Sequence, residues 1–185
     1  MKLLDLIKSR RSIMPSQYND VPIDDEQIKL IIEAANWAPT HKKTEPWRFK
    51  VLRGESKNNL GDFLAEKYKE KAPNFSEFKQ KKLKEKAIKS SAIILICMQR
   101  DPLESVPEWE EIASVSMAVQ NMWLMASELS IGSYWSSPKL IDFIHEFIPL
   151  QAGERCLGIF YMGSHDGVIN SREPSPIADK VLWFE

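Results

Sequence analysis

Residues 92–98 read Ala-Ile-Ile-Leu-Ile-Cys-Met, an uninterrupted apolar run in which three of the seven residues are isoleucine. A strand with one solvent-facing side would alternate apolar and polar residues, so this run predicts a strand covered on both faces of its sheet. We therefore expect it at the centre of the sheet. A second buried strand is predicted at residues 155–163, which are apolar at Leu157, Ile159, Phe160 and Tyr161.

The chain before the first buried strand predicts three helical regions and one strand. Residues 3–12 and 24–38 place apolar side chains at helical spacing, and a proline ends the second of these helices. Residues 46–54 alternate apolar and polar side chains and close on a glycine, as a half-buried strand does. Residues 57–91 are helical in composition, with a break at residues 72–74.

The longest predicted helix, residues 110–130, lies between the two buried strands. It is apolar around most of its circumference, which is typical of a helix in a core or in a subunit interface. We expect Gly132 to end it, residues 133–137 to form a short strand or loop, and residues 139–148 to form another helix. Helices interleaved with strands, without repeats or a low-complexity linker, predict one domain over residues 1–185, of the α/β or α+β class.

Length and charge narrow the functional classes. The 185 residues suffice for one well-packed domain, and the net charge of -1 offers no overall attraction for nucleic acid or an anionic membrane. Residues 66–89 nevertheless hold nine lysines against four glutamates. We interpret this segment as a solvated helix face, because it lacks arginine and because Glu77/Lys81 and Glu85/Lys89 fall at the supportive i, i+4 spacing. A nucleic-acid adaptor that uses these lysines is the less favoured alternative.

Several common kinds of site are not indicated by the sequence. Cys97 and Cys156 lie far apart in predicted strands without a Cys-x-x-Cys spacing, which argues against a disulfide framework and a zinc site. The histidines have no partners at metal-ligand spacing, and no glycine-rich nucleotide fingerprint occurs. The charged N-terminus does not resemble a signal peptide and residues 112–131 are too polar to span a bilayer, so we expect a cytoplasmic protein.

Three separate segments carry the functional signal. Arg10-Arg11-Ser12 offers two guanidinium groups and a hydroxyl within one turn, a set suited to a phosphate, although a solvated helix end has the same composition. Residues 38–47, Ala-Pro-Thr-His-Lys-Lys-Thr-Glu-Pro-Trp, form a polar loop with a histidine between a helix and a strand. Residues 132–138 place two aromatic and three hydroxyl side chains after the long helix, where they line a flat ligand or close the core.

Taken together, these segments resemble the nitroreductase family of FMN-dependent NAD(P)H oxidoreductases. The most specific parts are Arg10-Arg11-Ser12, the Ala-Pro-x-His-Lys pattern of residues 38–42 that leads into Pro46-Trp47, and the helix that reaches Gly132 before Trp135. The resemblance implies an α+β fold with a central, mostly antiparallel sheet wrapped by helices. It also implies a homodimer that holds one FMN at each of two subunit-interface sites.

The resemblance further implies three groups of FMN-binding residues. The phosphate and the ribityl chain would be held by side chains near the N-terminus and in the tail, namely Arg10, Arg11, Ser12 and Arg172. The flavin would lie along consecutive residues after the long helix, partly through their backbone groups, namely Tyr134, Trp135 and Ser136. The second copy of the chain would contribute the aromatic and imidazole side chains Trp37 and His41.

The activity implied is a two-electron transfer in ping-pong fashion. A reduced nicotinamide delivers a hydride to FMN and leaves, and a nitroaromatic, quinone or similar electron-poor acceptor then takes its place. FMN carries this chemistry, so neither a catalytic side chain nor a metal is required. The alternative is a dimer that binds or senses flavin without turnover. No residue in the sequence distinguishes NADH from NADPH as the donor.

Two departures from the family pattern bear on this site. Many relatives have a lysine or arginine near flavin N1 where this chain has Met14, so Arg11 or Lys43 is expected to balance the charge of the reduced flavin. Lys43 and Glu45 stand where many relatives carry asparagine and glutamine before Pro-Trp. We expect a correspondingly different substrate preference.

Overall fold

Four antiparallel strands form the centre of the computed structural model, which describes residues 2–167 and 170–185. They are β1 (Trp47–Leu52), β2 (Ala92–Gln99), β3 (Ile131–Ser136) and β4 (Glu154–Ser164), and their spatial order is β1-β2-β4-β3. All three pairings are antiparallel. Strand β2 has a neighbour on each side and is buried over its first seven residues, which confirms the predicted central strand.

Helices surround the sheet throughout the described part of the chain. The α-helices are α1 (Leu3–Ser9), α2 (Asp25–Asn36), α3 (Gly54–Lys71), α4 (Glu77–Lys89) and α5 (Glu108–Glu128). Short 3₁₀-helices span Pro15–Gln17, His41–Lys43, Lys139–Glu146 and Ile177–Lys180. The helix predicted at residues 139–148 therefore exists, but as a 3₁₀-helix.

The helices cover the two faces of the sheet as two layers. On one face, α2 and α5 pack against Ile94, Ile96 and Phe160. On the other face, α3, α4 and the 3₁₀-helix Lys139–Glu146 pack against Ile93 and Leu95. Because consecutive residues of a strand point to opposite faces, the unbroken apolar run of β2 supplies both cores. The architecture is the predicted α+β fold with an antiparallel sheet wrapped by helices.

The first helix is shorter than the sequence predicts. The Arg10 N–H donates to the Leu6 carbonyl at 3.1 Å, and α1 ends at Ser9 instead of near Ser12. The Ile13 N–H instead donates to the Ser133 carbonyl on β3 at 3.0 Å. This bond between distant parts of the chain draws residues 10–14 out of the helix and along β3.

Gly132 does not end the long helix, so that expectation is wrong. Helix α5 ends at Glu128, Ser130 adopts the left-handed conformation with φ 57°, and Gly132 lies within β3. A Cβ atom at Gly132 would lie 2.9 Å from Cε1 of Tyr18 and 3.0 Å from Cδ2 of His165. Close packing, and not helix termination, is what requires glycine at this position.

The described residues contain no disulfide and no metal-binding cluster. Cys97 on β2 and Cys156 on β4 lie opposite each other in the ladder, and both are free and buried. No group of three or more His, Cys, Asp and Glu side chains in residues 2–167 and 170–185 is arranged to hold a metal ion. Within the same residues, no helix combines the length and the apolar character that crossing a membrane requires.

We predict that Gly163→Ala lowers the free energy of unfolding by about 1–3 kcal/mol through overpacking. The added Cβ would lie 2.4 Å from two ring carbons of Tyr18. That ring is held in place because its hydroxyl donates to the Ile13 and Tyr161 carbonyls, each 3.0 Å away. Urea titration measures the loss. Gly167→Ala is the control, since no described atom outside the adjoining residues lies within 4 Å of its Cβ, and equal losses in both variants would contradict the prediction.

Candidate functional site

The chain that follows α1 lies along the free edge of β3. In addition to the bond between Ile13 and Ser133, the Asn19 N–H donates to the Ser164 carbonyl at the end of β4, at 2.8 Å. The first of these bonds joins the residue after Arg10-Arg11-Ser12 to the residue before Tyr134, so two of the three segments singled out in the sequence, residues 10–12 and 132–138, are linked. Within these segments Ser12 is exposed and Ser136 is the last residue of β3.

Arg10 is held against Trp123 of α5. The guanidinium carbon lies 4.7 Å from the centroid of the Trp123 ring, and Nε1–H of Trp123 donates to the Arg11 carbonyl at 3.2 Å. Nη1 of Arg10 is buried and has no hydrogen-bond partner among the described residues. A buried donor without an acceptor costs about 1–3 kcal/mol, more for a charged group, so this position is suited to an anionic ligand.

Two further arginines lie near Arg10. Burial lowers the pKa of Arg10, and the positive charges of Arg172 and Arg11 lower it further, although arginine remains protonated at any physiological pH. Nε of Arg11 donates to the Asn170 carbonyl at 2.9 Å, which brings the C-terminal tail and Arg172 to this site. None of these three arginines forms an ion pair with a carboxylate in the described residues, where the paired arginines are Arg53, Arg100 and Arg155. The positive charge of the cluster is therefore not neutralised there.

Strand β3 leaves part of its backbone free at the edge of the sheet. In an antiparallel strand, alternate residues turn their N–H and C=O groups to the same side. Because the Ser133 carbonyl points away from β4 toward Ile13, the N–H and C=O of Trp135 also point away from β4. No described residue forms a backbone hydrogen bond with them on that side. The edge therefore presents one donor and one acceptor to a planar ligand.

The side chains of Tyr134 and Trp135 lie on opposite faces of the sheet. Tyr134 stacks on Tyr161 with ring centroids 6.3 Å apart, whereas Trp135 packs on the α5 side. Ser133 Oγ and Trp135 Nε1 are, with Arg10 Nη1, the buried side-chain polar atoms that lack a partner in the described residues. Since buried polar groups are normally paired, their grouping around β3 identifies this edge as the candidate site.

The structure does not bring the third sequence segment to this edge within one chain. Nδ1 of His41 hydrogen-bonds to the Glu110 carboxylate near the start of α5. Arg10 instead contacts Trp123, thirteen residues further along the same helix. At 1.5 Å per residue, these two contacts are about 20 Å apart. Trp37, which is 79% exposed, directly follows α2 and precedes the His41 loop, so it belongs to the far end as well.

A cavity of about 110 Å³ lies between Met14 and one side of α4. Lys82 and Lys86 line it, and Nζ of Lys86 lies 5.4 Å from the centroid of the Tyr134 ring on β3. The lysines of α4 that form ion pairs in the described residues are Lys81 and Lys84. Glu85 and Lys89 line the same cavity, and Glu85 pairs with Lys81 at 3.8 Å. Lys86 therefore brings to the candidate site, from the α4 side, a positive charge that forms no ion pair in the described residues.

The two side chains expected to balance a reduced flavin have other surroundings within one chain. Arg11 donates through Nη1 to the Lys8 carbonyl at 2.6 Å and to the Arg10 carbonyl at 2.8 Å, besides its bond to Asn170. Lys43 lies in the His41–Lys43 turn at the far end of α5. The expectation that Arg11 or Lys43 fills this role has no support in a single chain.

Trp123 and Lys86 belong to the site, yet the sequence alone does not single them out. Trp123 fits the apolar pattern of α5, and its only separate signal is a ring donor within a mostly aliphatic helix. Lys86 is one of nine lysines in residues 66–89, and the pattern there gives no reason to prefer it. Both roles depend on contacts between segments that are distant in the chain.

Comparison with protein families and curated proteins gives consistent matches. The model of the Nitroreductase family matches residues 7–164. The Bacillus subtilis protein YfhC, provisionally named an NAD(P)H nitroreductase, is 32% identical over 96% of this chain and 92% of its own length. YdjA of Escherichia coli K12, which has the same provisional name, is 26% identical over 95% of this chain and 97% of its own length.

Solved structures with the same architecture span the whole chain. A nitroreductase-like family protein from Bacillus cereus superposes with a TM-score of 0.84 at 27% identity, over 100% of this chain and 97% of that one. A Desulfovibrio desulfuricans protein, provisionally named a nitroreductase and solved in complex with FMN, superposes with a TM-score of 0.76 at 26% identity. That match covers 100% of this chain and 98% of the Desulfovibrio chain.

Proposed function

The chain belongs to the nitroreductase family, and we propose that it is an FMN-dependent NAD(P)H oxidoreductase that reduces nitroaromatics, quinones or similar electron-poor acceptors. The observation that carries this proposal is Nη1 of Arg10, which is buried without a hydrogen-bond partner among the described residues, on the segment that follows the free edge of β3. FMN has both of the parts that this site accommodates, because its phosphate would bind to Arg10 and its planar flavin ring would lie along β3. A dimer that binds or senses flavin without turnover is the alternative.

The residues at the site fit the FMN phosphate and its ribityl chain. Arg10 offers a buried N–H without an acceptor, Arg172 adds a second positive charge, and the Ser12 hydroxyl is exposed next to them. Arg11 uses Nε and Nη1 on backbone carbonyls, and its bond to Asn170 holds the tail that carries Arg172. We therefore assign the phosphate contacts to Arg10, Ser12 and Arg172, and assign Arg11 chiefly to holding the tail.

The edge of β3 fits the flavin ring. The free N–H and C=O of Trp135 can hydrogen-bond with the polar edge of the isoalloxazine, and Tyr134 and Ser136 flank them. When bound, FMN accepts a hydride from the reduced nicotinamide and passes two electrons to the acceptor that replaces it, in ping-pong order. The chain itself binds and orients the ring and supplies positive charge, which requires no acid or base side chain.

Lys86 is the side chain that we assign to the negative charge of reduced FMN. It lines the cavity beside Met14, the position where many relatives carry a basic residue. It approaches β3 through its contact with the Tyr134 ring and forms no ion pair in the described residues. A basic side chain from α4 thus replaces the one missing from residue 14.

A homodimer completes the site in this proposal. Large apolar side chains are exposed on α1 at Leu3, Leu4 and Ile7, and in the tail at Leu182, Trp183 and Phe184. Exposed apolar groups of this size and proximity mark protein interfaces. A second copy packed against α1 and the tail would cover them. In this proposal the second copy also contributes its own Trp37 and His41 to the Arg10 site. Within one chain, these residues lie at the opposite end of α5 from Arg10.

The activity is tested by following oxidation of NADH and NADPH with a nitroaromatic or a quinone as acceptor. We expect turnover of about 1 s⁻¹ or faster, the usual range for enzymes, against a blank of free FMN at the same concentration. FMN bound in stoichiometric amount without acceleration over the blank would support the flavin-binding alternative instead. Protein that neither contains FMN nor takes it up would overturn both.

We predict that Arg10→Ala weakens FMN binding about tenfold to 150-fold, because it removes a charged hydrogen bond of about 1.5–3 kcal/mol. Quenching of FMN fluorescence on titration with flavin-free protein measures the dissociation constant. The control is Arg155→Ala, which removes an arginine whose ion pair with Glu108, at 3.0 Å, is half-exposed and away from the site. Unchanged affinity in Arg10→Ala would mean that other residues hold the phosphate.

We predict that Lys86→Gln lowers the two-electron reduction potential of the bound FMN. Loss of one nearby positive charge that stabilises the reduced form by about 1.4 kcal/mol corresponds to about 30 mV. Reduction in the presence of a reference dye measures the potential. Lys84→Gln is the control on the same helix, since Lys84 pairs with Asp62 of α3 at 2.9 Å. An equal shift in both variants would indicate a long-range effect of net charge and exclude a specific role for Lys86.

A further inference from the structure

A groove of about 810 Å³ separates the α3–α4 hairpin from the 3₁₀-helix Lys139–Glu146. We call it the lysine groove, because its charged lining consists mainly of Lys71, Lys79, Lys82, Lys86 and Lys139. Asp142 is the one acidic residue among those described that line it. Its volume is typical of small-molecule sites. The groove is thus large enough for a ligand and strongly selective for negative charge.

The lysines of α4 are divided by their position relative to the groove. Lys79, Lys82 and Lys86 lie on the groove side, and none of them forms an ion pair in the described residues. The pairs on this helix are made by Lys81, with Glu85 at 3.8 Å, and by Lys84, with Asp62 at 2.9 Å. Lys89, which does not line the groove, forms no ion pair in the described residues either, so pairing alone does not mark the groove. What marks it is that three unpaired lysines of one helix line the same cavity, where their charge is available to a ligand.

Apolar and aromatic groups line the groove between the lysines. Leu83 of α4 and Leu140 and Phe143 of the 3₁₀-helix contribute apolar surface, and Tyr68 of α3 adds a second ring. Nζ of Lys71 lies 5.4 Å from the centroid of Phe143. Phosphate groups bind to lysine as a point charge, whereas a flat heterocycle packs on aromatic and aliphatic side chains. The combination suits a phosphorylated nucleoside better than an inorganic anion.

The lysine groove adjoins the cavity beside Met14. Lys82 and Lys86 line both the groove and the cavity beside Met14. Lys86 also contacts the Tyr134 ring on β3, so a ligand that binds to Lys86 in the groove has one end near this strand. A dinucleotide with its nicotinamide at the flavin would extend its phosphates and adenosine in this direction.

We propose that the lysine groove binds the adenosine half of NADPH, with the 2′-phosphate on its lysines, and that it makes NADPH the preferred electron donor. The proposal rests on the proposed function, which requires a reduced nicotinamide dinucleotide. NADPH differs from NADH by this phosphate alone, which is the group that unpaired lysines would recognise. Lys79 and Lys139 are the lysines assigned to the 2′-phosphate, since they line the groove but not the cavity beside Met14. Lys71 also lines only the groove, but it forms an ion pair with Glu70 at 2.7 Å.

The test compares donors in the FMN-loaded protein. In Lys79→Gln combined with Lys139→Gln, we expect KM for NADPH to rise about tenfold or more, because a single lost charged contact is worth about that factor. The KM for NADH and the kcat with either donor should stay near wild-type values. In wild-type protein, added salt should raise KM for NADPH more than KM for NADH, because salt screens exposed charges.

The control is Lys69→Gln combined with Lys81→Gln. It also removes two positive charges, from positions on the α3–α4 hairpin that do not line the groove. Equal effects of the two double variants, or a groove variant that changes both donors alike, would overturn the proposal while leaving the oxidoreductase function intact. If no version oxidises either donor, the proposed function has failed. In that case, calorimetric titration with adenosine 2′,5′-bisphosphate tests the groove independently. Binding that is lost only in the groove variant supports a phosphoadenosine site, and absence of binding to the wild-type protein overturns it.

Discussion

The position of residues 10–19 on the free edge of β3 is the constraint on which the candidate site depends. An edge strand exposes unpaired backbone groups, and proteins usually cover them. Here the Ile13 N–H covers the Ser133 carbonyl, and the Tyr18 ring occupies the space that Gly132 and Gly163 leave open. The cover ends before Trp135, whose backbone stays available. The same segment fixes Arg10, so the anion-binding and ring-binding parts of the site have one structural cause.

Much of the fold could be predicted from sequence because its elements depend on local patterns. The run of residues 92–98 must be covered on both faces wherever it lies, and this alone places β2 at the centre. The end of α1 and the role of Gly132 could not be predicted, since each is decided by a distant partner. Ile13 leaves the helix to reach Ser133, and Gly132 is required by Tyr18. The rule that a glycine ends a helix considers only neighbouring residues and therefore cannot predict this packing.

Charge pairing was the least predictable part of the site. Spacing on α4 favours pairs between Glu77 and Lys81 and between Glu85 and Lys89, whereas the structure pairs Lys81 with Glu85 and Lys84 with Asp62 of α3. The interpretation as a solvated face agrees with the exposure of most of these lysines, and the proposed ligand adds a role for those on the groove side. The resemblance supplied Arg10 and residues 134–136, which the structure brings together. It could not supply Lys86, because that role depends on α4 packing against β3.

The Arg10 site and the lysine groove differ in how much they destabilise the protein when no ligand is bound. At the Arg10 site, three buried polar atoms lack partners among the described residues and like-charged arginines lie close together, which destabilises the folded chain until a ligand supplies acceptors. A ligand that removes this cost stabilises the fold and is held tightly, as a resident cofactor must be. In the lysine groove most of the charges are exposed and fully hydrated, so an empty groove costs little. Binding there is correspondingly weaker and reversible, which is what a donor that enters and leaves in every cycle requires.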